Sequence, residues 1–133
     1  MVSATSPAAR FSGLSAIGQI AITVADVDRA VAYYRDILGM NLLFQFPGLG
    51  FFDCGGVRLM LTKPENPGEG YSSTVYFRVP DVQQAHAALA ARGVAFEREP
   101  HLTARMADHD LWMAFFRDLD GNLLALMCEV PRA

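Results

Sequence analysis

Two short segments of the chain alternate apolar with polar or small residues, which is the period of a β-strand. They span residues 19–24 and 74–79, and in each the aliphatic or aromatic side chains fall on one face. Each segment leads directly into apolar positions spaced three and four residues apart, the period of a helix. The pattern therefore predicts two strand–helix units, one in each half of the chain.

The two predicted helices carry matching start and stop signals. Asp26 and Asp81 stand at the end of each strand, where an aspartate side chain can accept hydrogen bonds from the free amides of the following turn. Gly39 and Gly93 follow the apolar stripes and supply the left-handed conformation that ends a helix. The two aspartates are 81 − 26 = 55 residues apart, so we interpret the two units as copies of one repeat.

Three further strands are predicted after each helix, at residues 41–46, 50–54 and 57–62 in the first half and 94–99, 111–117 and 123–129 in the second. Glycine-containing turns at residues 55–56 and 120–122 separate the last pair of strands in each half. Both halves therefore have the order βαβββ, joined by a linker rich in proline and glycine at residues 63–71.

This order predicts an α+β fold in which two paired βαβββ modules form an open, eight-stranded, barrel-like cleft. A four-stranded sheet covered by one helix leaves its second face bare, so two modules are expected to pair. We predict a flexible leader at residues 1–15 and a single domain at residues 16–131. Module one spans residues 16–62 and module two spans residues 72–131.

Composition narrows the range of functions. The chain has 133 residues, 52% of them hydrophobic, and this argues against disorder. A formal charge of -3 argues against nucleic acid as a partner. The apolar runs are too short and too interrupted to cross a membrane, and the leader lacks the features of a secretory signal, so a cytoplasmic location is expected. Cys54 and Cys128 lack metal-binding spacing and are expected to be buried packing residues.

Three stretches carry a resemblance to a known family: residues 19–26 (QIAITVAD), 30–39 (AVAYYRDILG) and 116–122 (FRDLDGN). Together they resemble the vicinal oxygen chelate superfamily, which includes glyoxalase I, bleomycin-resistance, fosfomycin-resistance and extradiol dioxygenase families. The resemblance covers residues 17–129. It implies the paired-module fold and a homodimer with pockets between modules or across the dimer, but it does not identify a reaction.

In metal enzymes of this superfamily, the resemblance implies a divalent ion held by four inward side chains, usually His or Gln, Glu, His and Glu. The equivalent positions here are Gln19, Met60, Thr74 and Ala125, of which only Gln19 is a familiar ligand. Because a dication at such a site would lose its water without gaining carboxylates, we predict no metal ion and no other cofactor. The predicted lining of the cleft consists of Gln19, Met60, Thr74, Tyr76, Trp112, Ala125 and Met127.

Other polar and aromatic residues offer weaker candidates. His101, Asp108, His109 and Asp110 fall in a predicted loop at residues 100–110, where we expect them to cap the cleft or face solvent. His109 and Glu129 are the candidates for acid–base catalysis. Trp112 is the ring expected to stack on a planar ligand, whereas most of the other strand aromatics are expected to pack in the core: Phe44, Phe46, Phe51, Phe52, Phe115 and Phe116. Arg58, Arg78 and Arg105 are expected at the surface, with anion binding as the alternative.

The leading hypothesis is a metal-independent protein that binds a small molecule, resembling the drug-sequestering bleomycin-resistance type. The alternative is an enzyme, either a metal-dependent lyase, isomerase or dioxygenase that uses Gln19, or one that uses an acid–base pair such as His109 and Glu129. A third hypothesis, a purely structural interaction module, explains the polar residues of the cleft less well. The expected partners are a small-molecule ligand and a second copy of the chain, with no nucleic acid and no membrane.

Overall fold

The computed structural model describes residues 11, 13–66, 70 and 72–132. Module one contains β1 (Gln19–Thr23), α1 (Val27–Ala32), a π-helical segment (Tyr33–Ile37), β2 (Asn41–Phe46), β3 (Leu49–Cys54) and β4 (Val57–Thr62). Module two contains β5 (Val75–Arg78), α2 (Val82–Ala91), β6 (His101–Arg105), β7 (His109–Arg117) and β8 (Leu123–Pro131). The order βαβββ therefore occurs twice, as predicted. The predicted leader and linker fall partly outside the described residues.

Each module forms its own four-stranded sheet. Sheet one has the order β1-β4-β3-β2, and sheet two has the order β5-β8-β7-β6. In both, the first strand pairs in parallel with the last, and the remaining pairs are antiparallel. The predicted α+β class with two βαβββ modules is confirmed, although in the described chain the sheets remain separate and do not close into a barrel. The helices of the described residues include none that is long and apolar enough to span a membrane.

The strand registers show that the two modules are structural repeats. Ala21 on β1 lies opposite Met60 on β4, and Tyr76 on β5 lies opposite Ala125 on β8. These pairs are related by the offsets 76 − 21 = 55 and 125 − 60 = 65, the first of which is also the spacing of the capping aspartates. Equivalent residues of the two modules therefore occupy equivalent positions in the sheets.

The predicted helix caps are present in both modules. The Asp26 carboxylate accepts a hydrogen bond from the amide of Arg29, and the Asp81 carboxylate accepts from the amides of Gln83 and Gln84. Gly39, with a φ of 74°, follows the first helical region in the left-handed conformation. Aspartate and glycine thus set the limits of that helical region.

The sixth strand differs from the prediction. The sequence pattern places it at residues 94–99, but there only Phe96 makes an isolated bridge to Phe116, and the strand itself is His101–Arg105. Val94 is buried, and its amide bonds to Leu89 at the end of α2. The apolar alternation at 94–96 therefore reflects packing against the core and not a strand ladder. The predicted loop at 100–110 is likewise wrong, because β6 and the start of β7 occupy much of it.

One apolar core joins the two modules. Each helix covers one face of its own sheet, and the buried residues beneath the helices belong to a single cluster that includes Ile22 and Leu61 of module one and Phe116 and Leu124 of module two. Both cysteines are free; Cys128 is buried in this cluster, and Cys54 is partly buried, with burial raising the pKa of its thiol. The modules therefore pack through their helix-covered sides.

A buried carboxylate reinforces this junction. Asp118, at the turn after β7, accepts from the amides of Asp120 and Asn122 and from the Asn122 side chain, each at 2.9 Å. Its remaining contact crosses the modules, since the Tyr34 hydroxyl donates to it at 2.7 Å. Burial and the nearby Asp118 carboxylate raise the pKa of Tyr34 far above its usual value, which keeps the hydroxyl protonated as the donor. Residues 116–122, one of the three stretches that carry the family resemblance, thus help to hold the two modules together.

Candidate functional site

The face of sheet one opposite α1 is not covered by the rest of the described chain. Along β1, Ile20 and Ile22 turn towards the core, whereas Gln19 and Ala21 are exposed. On the neighbouring strand, Met60 shares the exposed face, and its sulfur accepts a hydrogen bond from the Gln19 amide nitrogen at 3.6 Å. We call this surface the first open face. It also carries Thr23, Phe44, Phe46, Phe51 and Arg58.

Sheet two has a corresponding surface opposite α2, which we call the second open face. Along β7 and β8, buried residues alternate with residues of the opposite face, and Ala114, Phe116, Leu124 and Leu126 are the buried ones. The second open face therefore carries Tyr76, Met113, Phe115, Ala125 and Met127. Tyr76 is 48% exposed. Of the seven residues predicted to line the cleft, five lie on the two open faces: Gln19, Met60, Tyr76, Ala125 and Met127. A sixth, Thr74, lies directly before β5.

The four positions that the resemblance assigned to metal ligands occupy matched places in the two sheets. Gln19 and Met60 contact each other on the first open face, and Thr74 and Ala125 hold the equivalent positions of module two. Ala125 is fully buried although it lies on an open face. Its two strand partners are Tyr76 and Phe115, whose ring centroids are 6.1 Å apart, so these aromatic rings meet over its methyl group.

The donor set at these positions does not fit a divalent metal ion. It offers one amide, one thioether, one hydroxyl and one methyl group, and no imidazole or carboxylate. The thioether is further engaged by the Gln19 amide. Elsewhere in the described residues, no group of three or more His, Cys, Asp or Glu side chains is arranged to hold a metal ion.

Trp112 is placed differently from the prediction. It lies opposite Cys128 on β8 and packs against the core cluster, on the helix-covered side of sheet two. There it lines a cavity of about 440 Å³ with residues at the start of α2. Strand parity groups Trp112 with Ala114 and Phe116 but does not show which side faces the helix. The prediction that Trp112 faces the cleft is therefore wrong.

The other aromatic residues also divide differently from the expectation that most would lie in the core. Phe52 and Phe116 belong to the core cluster. Phe44 and Phe46 instead lie exposed on the first open face, where they pack against the buried Phe51, and Phe115 lies on the second. For Phe44 and Phe46 the reason is the bulge in β2 between Leu42 and Phe44, which turns both rings away from α1.

The two acid–base candidates come together at one end of the second open face. His109 Nε2 lies 3.9 Å from a Glu129 carboxylate oxygen, and His109 Nδ1 lies 2.7 Å from the Asp108 carboxylate. The hydrogen bond to the His109 ring lowers the pKa of Asp108 below its usual value. The ring is thus oriented by one carboxylate and points towards another, an arrangement suited to holding a proton or a polar ligand group.

His101 is a site residue whose orientation the sequence did not reveal. It lies on β6 opposite Met113, and its ring stacks on Phe115 with centroids 6.2 Å apart and planes inclined by 21°. Its Nδ1 atom is buried and has no hydrogen-bond partner in the described part of the chain. A buried polar atom without a partner is costly, so this nitrogen would gain stability from a hydrogen-bonding group that could reach it.

A separate cavity of about 370 Å³ lies between α2 and the end of the first helical region. Apolar residues including Leu38, Met40 and Leu89 line it, beside the small side chains Ala85 and Ala88 of α2. Arg78 and Phe116 contribute to it, but none of the residues predicted to line the cleft does. The Arg92 guanidinium on its wall donates to the Ile37 carbonyl at 3.1 Å.

Comparison with known proteins identifies relatives over most of the chain. Residues 16–126 match the family model of the Glyoxalase/Bleomycin resistance protein/Dioxygenase superfamily. The uncharacterized protein YraH of Bacillus subtilis is 29% identical over 126 residues, which cover 81% of this chain and 94% of YraH.

Two further relatives have named activities. The metallothiol transferase FosB of Staphylococcus haemolyticus is 30% identical over 53 residues, which cover 40% of this chain and 38% of FosB. The crystal structure of lactoylglutathione lyase from Agrobacterium tumefaciens superposes with a TM-score of 0.71 at 26% identity, covering 87% of this chain and 95% of the lyase. The first similarity is local, whereas the second extends over both modules.

Proposed function

Because the chain belongs to the Glyoxalase/Bleomycin resistance protein/Dioxygenase superfamily, we propose that it binds an organic small molecule on its open faces without using a metal ion. The observation that carries the proposal is the donor set formed by Gln19, Met60, Thr74 and Ala125. A superfamily scaffold is retained, while the groups that would compensate a dication for its lost water are replaced by neutral side chains.

The neutral lining favours organic ligands for a physical reason. Methionine side chains adapt to irregular apolar shapes, and aromatic rings offer large flat contact areas. Met60 lies on the first open face, and Met113 and Met127 pair with each other on the second. Together with Phe51 and Phe115, they provide an apolar surface with a few polar groups, which is typical of small-molecule sites.

The proposed site is completed by a second copy of the chain. The two modules of one chain already pack through their helix-covered sides, which leaves both open faces uncovered. Phe46 is 54% exposed and Tyr76 is 48% exposed, so each face presents a large ring to solvent. We propose a homodimer in which the first open face of one copy lies against the second open face of the other, with the ligand between them.

Sedimentation equilibrium tests the dimer. We expect the protein to have roughly twice the chain mass of 14.5 kDa at micromolar concentration. Phe46→Asp and Tyr76→Asp should each shift the protein towards the monomer, because a charge would be buried in an apolar interface. Ala87→Asp, on the exposed side of α2, is the matched control and should remain dimeric. A wild-type protein that stays monomeric up to ~100 μM would contradict the proposed assembly.

Ligand binding in the presence of a chelator tests the proposed function. We expect a thermal-shift screen of metabolites and antibiotics to find compounds that raise the melting temperature equally with and without EDTA, since a ligand bound to the folded state stabilises it by mass action. Glyoxalase-type metal enzymes treated in the same way serve as the control. If compounds stabilise this protein only after divalent ions are added, the proposal is wrong.

A further inference from the structure

We infer that the ligand is a planar aromatic molecule that carries an anionic group. This inference rests on the proposed function, because it describes the occupant of the same site. It follows from three features of the open faces. The first is a cluster of phenylalanine rings. Within the described residues, the other two are Arg58, which forms no ion pair, and His101, whose Nδ1 atom has no hydrogen-bond partner.

The phenylalanine rings form a platform on the first open face. The centroid of Phe44 lies 4.6 Å from that of Phe51 and 5.5 Å from that of Phe46, and the Phe46 and Phe51 centroids are 6.4 Å apart. Phe44 and Phe46 are 39% and 54% exposed, although rings of this size usually gain stability from burial. The ring planes are inclined to one another by 58°, 32° and 78°, so the cluster offers separate ring faces and edges on which an aromatic ligand can stack or pack edge-on.

Arg58 adds positive charge at the edge of this platform. Its guanidinium carbon lies 5.7 Å from the centre of the Phe51 ring. Among the described residues Arg58 forms no ion pair: Asp53 lies directly opposite it on β3, but the Asp53 carboxylate accepts from the amide of Gly56 at 3.2 Å. A guanidinium held against an aromatic ring and free of an acid is suited to bind a carboxylate or a similar anion.

The second open face offers complementary groups. Tyr76, Phe115 and His101 form a row of rings, with Tyr76 edge-on to Phe115 and His101 stacked on it. The His101 Nδ1 atom has no hydrogen-bond partner among the described residues but is buried, so a polar substituent of the ligand would reach it only after the imidazole ring turns. In the proposed dimer, a flat anion would lie between this row and the phenylalanine platform of the other copy. The Arg58 guanidinium supplies the charge complementary to the anionic group of such a ligand.

Titration calorimetry with a matched set of probes tests the inference. We would use 2-naphthoate, its saturated analogue decahydro-2-naphthoate, and the neutral 2-naphthylmethanol, all in the presence of EDTA. We expect 2-naphthoate to bind at least ~10-fold more tightly than either control, because only it combines a flat ring system with a negative charge.

Two variants separate the contribution of the Arg58 charge to binding from that of the Phe46 ring. Arg58→Gln should weaken 2-naphthoate binding about 10-fold and leave 2-naphthylmethanol binding unchanged, a difference that loss of structure would not produce. Phe46→Ala should weaken both aromatic probes. The matched control is Arg29→Gln, an exposed arginine on α1 behind sheet one, which should bind all three probes like the wild type.

Each outcome of the titrations has a distinct meaning. If the saturated acid binds as tightly as 2-naphthoate, or if none of the probes binds, the inferred ligand class is wrong, and the proposed function is still decided by the chelator screen. If 2-naphthoate binds only after divalent ions are restored, the proposed function fails as well. If Arg58→Gln weakens the neutral and anionic probes equally, the assignment of the anion to Arg58 is wrong.

Discussion

Asp118→Ala is expected to lower the free energy of unfolding by about 3 kcal/mol or more. The carboxylate is 7% exposed and accepts four hydrogen bonds, three from its own turn and one from the Tyr34 hydroxyl in the other module. Alanine would leave the buried Tyr34 hydroxyl and the turn amides without an acceptor. It would also weaken the contacts of this turn with β1, where the Asn122 side chain donates to the Thr23 carbonyl.

The repeat supplies a matched control for this variant. Asp53 is the equivalent of Asp118 by the offset 118 − 53 = 65, but it is exposed and accepts only from the Gly56 amide at 3.2 Å among the described residues. Asp53→Ala should therefore cost less than about 1 kcal/mol. Urea denaturation of both variants measures the two free energies, and Tyr34→Phe should give part of the Asp118→Ala effect. Equal losses for Asp53→Ala and Asp118→Ala would show that the buried network does not join the modules.

The second large effect is expected from restoring a metal site. A variant with Gln19→His, Met60→Glu, Thr74→His and Ala125→Glu carries the ligand types that the resemblance implies for metal enzymes of the superfamily. We expect its affinity for Zn²⁺ or Ni²⁺ to exceed that of the wild type by at least about 100-fold, because imidazole and carboxylate groups replace neutral donors. Tyr76 must move aside for the longer side chain introduced at position 125, and its exposure provides the space.

A variant with the same two histidines but with Met60→Gln and Ala125→Gln is the control for this experiment. It matches the first variant in side-chain size and lacks only the two negative charges, so it should bind these ions much more weakly. Calorimetric titration with each ion gives the affinities. If the four-residue variant folds as a dimer and gains no affinity over this control, then the four positions do not converge and the proposed arrangement of the open faces is wrong.

Much of the fold could be predicted because the signals of the repeat each lie within a few neighbouring residues. Alternation marked β1 and β5, aspartates marked the helix starts, and Gly55 and Gly56 adopt the positive φ values of a tight turn, 62° and 91°. These signals depend only on neighbouring residues. The sixth strand was misplaced because the bulge between Leu102 and Ala104 breaks its alternation, whereas residues 94–96 alternate without forming a ladder.

The candidate site could be predicted only in part. The placement of Gln19 and Met60 on one face follows from strand parity, since a period of two holds along a regular strand. The phenylalanine platform could not be predicted, because the bulge in β2 changes which residues turn away from α1. Strand parity also allowed Trp112 to lie on either face of sheet two, and only its packing against the core shows that it lies on the helix-covered face. The pairing of His109 with Glu129 depends on the register of β7 against β8, which the sequence does not contain.

We propose that this member of the superfamily holds an organic ligand without a metal ion, because neutral side chains stand at the four positions equivalent to metal ligands. Elemental analysis of the wild-type protein, purified without chelator and alongside the variant that carries the restored ligands, tests it most directly. We expect less than ~0.1 equivalent of any divalent transition metal in the wild type, since its donor set cannot offset the loss of hydration. One tightly held equivalent per chain that is lost on Gln19→Ala substitution would contradict the claim.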